Sequence, residues 1–94
     1  MKLPIMTTHA QSRLQQRGIA PEILPLLFEF GSSMHDHRGA EVLYLTGYGR
    51  TRMRKAAGSA KFKQLESSLD TYAVIGSDGQ VITVGHRTRR IHRP

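Results

Sequence analysis

The chain has 94 residues, 38% hydrophobic and 22% charged, the size and balance of one compact unit, which excludes two catalytic lobes and a disordered polyelectrolyte. The absence of cysteine removes disulfides, thiolate nucleophiles, cysteine zinc sites and iron–sulfur ligation, and fits a reducing compartment. A formal charge of +7 and a pI near 10.6 point to a polyanionic partner.

In chain order, Thr8-His9-Ala10-Gln11 has the spacing of a capping box, so a first helix is predicted over 9–17, stopped by Gly18. Lys2 is followed only by Leu3 to Met6 before it, too little apolar chain for a secretion signal. No apolar run approaches the ~18 residues of a membrane span. A soluble, cytoplasmic protein with no membrane partner is therefore expected. Pro21 suits the first position of a second helix, in which Ile23, Leu24, Leu26, Leu27, Phe28 and Phe30 supply core residues before Gly31; Pro25 shortens or kinks it. The period then changes to a weak strand near Ser33 to His37, a turn at Arg38-Gly39 and a strand through Val42-Leu43-Tyr44-Leu45. Gly47 and Gly49 end that hairpin, a basic segment follows, and Phe62, Leu65 and Leu69 predict a short third helix over 60–69.

Asp78-Gly79 is a two-residue hairpin signal between strands at Thr71 to Gly76 and Val81 to Arg87. That loop opposes Ile75 to Ile82, Ala73 to Val84 and Thr71 to His86 on the core face, leaving His86 at its rim and Arg87 on the other face. The predicted architecture is α+β: two N-terminal helices packed on a four-stranded, mostly antiparallel sheet, with a short basic helical insertion before the last hairpin. The whole of 1–94 forms one domain.

The positive charge is local. Residues 50–63 carry Arg50, Arg52, Arg54, Lys55, Lys61 and Lys63 with no acid, and residues 87–93 carry Arg87, Arg89, Arg90 and Arg93. These segments hold +6 and +4, so the rest of the chain sums to −3. Two acid-free runs in so short a chain predict phosphate binding, against the plainer reading of a solvated face or basic tail. Tyr48, in the loop before the run, is placed to stack on a base.

His9, Arg13 and Arg17 recur at i, i+4 and i+8 and so line one side of the first helix. If that helix crosses the end of the last strand, His9 and His86 would face one another in a cleft bordered by Arg13 and Arg87. Two imidazoles could serve as base and acid for RNA cleavage, with guanidiniums holding the phosphate charge and no metal or other cofactor required. Each histidine also has a structural reading, His9 in hydrogen bonding at the helix end and His86 against a backbone carbonyl. Arg13 and Arg17 could likewise pair with Glu22, Glu29 or Asp70. His35-Asp36-His37 puts two imidazoles on one strand face without a third ligand, and no metal site is assigned.

His9-Ala10, Arg13, Arg17-Gly18-Ile19, a second helix ending at Gly31 and a closing hairpin with Val81-Ile82-Thr83-Val84 resemble the bacterial family called domain of unknown function 4258 over most of the chain. That family is similar in fold to the RelE/ParE and BrnT-type toxins of toxin–antitoxin pairs. The resemblance implies messenger-RNA cleavage or nucleic-acid binding, with His9, Arg13 and Arg17 as the matching positions; Arg50 to Gln64 departs from the pattern in length and basicity. The expectation is a toxin-like RNA-binding module with metal-independent endoribonuclease activity through His9, His86, Arg13, Arg17 and Arg87. Arg50, Arg52, Arg54, Lys55, Lys61, Lys63, Arg89, Arg90 and Tyr48 would dock RNA, or alternatively DNA. The alternatives are a non-catalytic nucleic-acid binder and a module docking an acidic antitoxin-like protein. The oligomeric state is left open.

Overall fold

A computed structural model describes residues 5–35 and 39–87. The first tertiary contact precedes the first helix: Val81 N–H donates to the Ile5 carbonyl at 2.9 Å and Thr7 N–H to the Val81 carbonyl at 3.0 Å. Held there in extended backbone, Thr7 rather than Thr8 caps α1 (Thr8–Gln16), its hydroxyl oxygen accepting from Ala10 N–H at 3.1 Å. Helix α1 buries Ala10 and Leu14. It closes where Gly18, at φ 62°, lets Ile19 N–H reach back to the Leu14 carbonyl at 3.0 Å. Helix α2 (Ile23–Phe30) begins two residues after Pro21; Pro25 lies in its first turn, where a missing N–H loses no intrahelical bond. Ile23, Leu24 and Leu27 are completely buried.

Strands β1 (Ser32–His35), β2 (Glu41–Tyr44), β3 (Thr71–Ile75) and β4 (Val81–His86) form one antiparallel sheet in that order. The fold is α+β, with both N-terminal helices preceding the sheet and a helical segment between β2 and β3. The row Leu43–Ala73–Val84 joins the core beneath the helices, and Tyr44, Tyr72 and Gly85 form the neighbouring row on the opposite face. Ala73 faces Val84 and Thr71 faces His86, as the sequence predicts, but Ile75 faces Val81 instead of Ile82 because the ladder shifts between Val74 and Ile75. The hairpin loop is correspondingly longer. Gly76 N–H bonds the Gln80 carbonyl at 2.8 Å, and Asp78 is drawn inside the loop by accepting from Gln80 N–H at 3.1 Å, with Gly79 at φ 85°.

The larger correction lies between β2 and β3. The predicted break at Gly47 and Gly49 is the start of α3 (Gly47–Ala57), capped by Thr46, whose hydroxyl accepts from Gly49 N–H at 3.1 Å. Glycine is needed at 49 for approach: a Cβ there would lie 2.5 Å from the Phe30 carbonyl oxygen, so α3 crosses closely over the end of α2. Gly58, at φ 90°, separates α3 from α4 (Ser59–Gln64), and a 3-10 turn follows over Glu66–Ser68. These elements replace the single helix predicted over 60–69. Tyr48 therefore sits on a helix and not in a loop.

Candidate nucleic-acid interface

At the end of the sheet, charged side chains close the fold on itself. His86 Nδ1 lies 2.8 Å from Asp70 Oδ1, and its Nε2 lies 3.0 Å from the Arg17 carbonyl oxygen. Both neighbours are acceptors, so both contacts are hydrogen bonds when the ring is protonated, since only the imidazolium donates from both nitrogens. Its pKa is accordingly raised, first by the bond to the Arg17 carbonyl and then by the bond to Asp70. The Arg17 carbonyl is one of the acceptors that the C-terminus of α1 leaves without a helical partner, and a cation is favoured at that end. His86 thus fastens α1, the turn before β3 and β4 together.

Arg87 continues this cluster. Its N–H bonds the Asp70 carbonyl at 2.8 Å, its guanidinium donates to the Leu45 carbonyl at 2.8 Å, and the group lies 5.3 Å from the centre of the Tyr44 ring. Burial, with nearby Arg50 second, lowers its pKa below the usual guanidinium value. Arg50 donates to the Leu69 carbonyl at 3.3 Å, so this cation, expected to dock a nucleic-acid backbone, is turned inward from α3.

Tying residues 5–7 to Val81 starts α1 beside β4, and His9 Nε2 comes within 3.3 Å of Thr83 Oγ1. The other end of α1 meets the strand at His86. Thr83 and His86 are three residues apart on β4, roughly 10 Å along the strand and on opposite faces. The two imidazoles expected to share a cleft are therefore held at opposite ends of α1, and both nitrogens of His86 are committed to protein acceptors. Arg13 lies midway, half-buried, with a buried Nε that has no hydrogen-bond partner among the described residues. Asp70, read from sequence as a partner for Arg13 or Arg17, instead pairs with His86.

The remaining cations are arranged differently. Arg52, Arg54, Lys55, Lys61 and Lys63 are all exposed on α3 and α4, and among the described residues none pairs with a carboxylate. Tyr48, Arg52 and Lys55 recur at i, i+4 and i+7 and share one side of α3, about a third of a turn round from the buried Gly49 and Met53. The Arg52 guanidinium carbon lies 5.4 Å from the centre of the Phe30 ring and 5.7 Å from that of Tyr48, while Arg54 lies 5.9 Å from that of Phe62. Phe30 escaped the sequence reading as part of this surface. The available signal was Gly49 and Met53 at i and i+4, obscured because paired glycines read as helix breakers.

Arg89, Arg90 and Arg93, with Asp36, His37 and Arg38, lie outside the described residues. A groove of about 560 Å³ runs between α2 and α3–α4, lined by Pro25, Leu26, Phe30 and Ala56 together with Glu22, Glu29 and Lys61. Among the described residues no three His, Asp or Glu side chains converge where a metal ion could be held, and no helix is long and apolar enough to cross a membrane. No family model, curated protein or solved structure matches the chain.

Proposed function

We propose that this chain is an RNA-binding module that grips the sugar-phosphate backbone with the outer face of α3 and α4. The observation that carries this reading is the set of five exposed cations, Arg52, Arg54, Lys55, Lys61 and Lys63, none of which forms a salt bridge among the described residues. Such cations release condensed counterions when phosphates replace solvent, and this dominates the affinity of nucleic-acid binders. The resemblance to domain of unknown function 4258, a family similar in fold to toxins that cleave messenger RNA, favours RNA among the polyanions, with DNA as the comparison arm and an acidic antitoxin-like protein as a competitor for the same face.

Binding, and not cleavage, is the reading this geometry favours. Both ring nitrogens of His86 lie within hydrogen-bond distance of protein acceptors, and His9 meets the other end of the crossing. Labelled RNA is therefore expected to stay intact with or without chelator, and cleavage lost in His9→Ala or His86→Ala would restore the enzymatic alternative. The direct test is fluorescence anisotropy with single-stranded RNA across a salt series. Five phosphate contacts give a log–log slope of about −3.5, or about a hundredfold loss between 50 and 200 mM salt. Affinity indifferent to salt, or none at low salt, overturns the reading.

A further inference from the structure

Building on that RNA-binding reading, we infer that Tyr48 and Arg52 form a stacking platform for an unpaired nucleobase, so that the ligand is a single strand and not a duplex. Tyr48 is 75% exposed, in the first full turn of a capped helix. A lone exposed aromatic needs no explanation. This one is not alone: its ring rests against a guanidinium that also lies over Phe30, a ring only 8% exposed and anchored in the core.

The stack runs outward from core ring to cation to solvent-facing ring. Each step limits the freedom of the next, so Tyr48 is oriented before any ligand arrives and less ordering entropy is lost on binding. What it offers to solvent is a flat aromatic surface set among cations, with Arg52 and Lys55 one and two turns along the same side. A nucleobase laid on the ring would have its flanking phosphates within the field of those cations. This combination of a stacking surface and a positive track suits a strand whose bases are unpaired, since in a duplex their faces are already covered by neighbours.

The test uses the full chain with a single-stranded RNA of about 12 nucleotides, a duplex of the same length and an abasic strand of equal charge. Tyr48→Ala is expected to lower single-strand affinity by about fivefold to a hundredfold, with the salt slope and duplex binding unchanged. Tyr48→Phe should bind as the parent does, because the ring and not the hydroxyl makes the stack. The parent should prefer the strand with bases over the abasic one, and Tyr48→Ala should lose that preference. Because the chain has no tryptophan, Tyr48→Trp adds a single reporter whose fluorescence should be quenched by the single strand and not by the abasic one. Salt-dependent binding that Tyr48→Ala leaves intact on single strands overturns the platform and spares the RNA-binding reading. Absence of binding by the parent at low salt overturns both.

Discussion

The end of the sheet and the outer face of α3–α4 are both rich in cations, yet they spend them in opposite ways. At the sheet end, His86 donates to Asp70 and the Arg17 carbonyl, Arg87 to the Leu45 carbonyl and Arg50 to the Leu69 carbonyl. On the helical face, Arg52, Arg54, Lys55, Lys61 and Lys63 have no carboxylate partner among the described residues; two of them lie over aromatic rings. The difference teaches that local charge density does not separate structural from functional cations. What separates them is whether the fold already supplies their acceptors. Carbonyls near helix and strand ends are acceptors in search of donors, so cations placed there by the topology become part of the frame.

The largest effect should come from breaking the contrast on its open side. Changing Arg52, Arg54, Lys55, Lys61 and Lys63 together to Gln removes the phosphate contacts, and RNA affinity near 100 mM salt should fall by at least about a hundredfold, with the salt slope approaching zero. Thermal stability should hardly change, since exposed charges of this kind contribute little to folding. A variant that loses stability in step with affinity would mean that these cations are structural after all.

The converse experiment acts on the saturated side. His86→Ala removes the donor to Asp70 and to the Arg17 carbonyl, and should lower unfolding free energy by about 1 kcal/mol, a figure held down by the partial exposure of the pair. RNA affinity should stay within about twofold of the parent if the frame persists. A pH series sharpens the same point. Because the folded pKa of His86 is raised above its ordinary 6.5, its stabilisation is complete below that value and disappears as pH rises through the folded one. Urea midpoints should therefore decline over that window in the parent and lack this component in His86→Ala. Equal pH dependence in the two proteins would show that the imidazolium does not fasten α1 to the sheet.

How much of this was legible in the sequence follows from how local each signal is. The α+β class, the four strands and the pairing of Thr71 with His86 rest on alternation and on one turn, so they could be read directly. Placement of His86 at a rim followed from the same register, and a backbone carbonyl as its partner is the structural alternative already visible for that residue. The identity of that carbonyl was not legible, because it depends on where α1 ends in space. Likewise His9 and His86 each lie on α1 or β4, but a helix rising 1.5 Å per residue meets a strand rising 3.3 Å per residue at points fixed by docking alone. Here that docking is set by residues 5–7 pairing with Val81. The helix α3 was hidden for another reason: Gly49 is an unfavourable helix residue by propensity, retained where a side chain would strike the Phe30 carbonyl.

The smallest expected effect concerns a group at the sheet end that, like Arg87 Nε, is buried without a hydrogen-bond partner among the described residues. Thr71 is fully buried opposite His86, and its hydroxyl has no hydrogen-bond partner among the described residues. His86 cannot serve it, because both ring protons are already given to Asp70 and Arg17. A buried hydroxyl without a partner carries a desolvation cost, which a methyl group of nearly the same shape does not. Thr71→Val should therefore raise unfolding free energy by up to about 1 kcal/mol, seen as a higher urea midpoint with unchanged slope and unchanged RNA binding. Loss of stability in that variant would mean that the hydroxyl supports the Asp70–His86 pair, and combining it with His86→Ala would then give a non-additive change. Additive effects would leave the imidazolium as the fastener of this end and the threonine hydroxyl as a cost carried by the core.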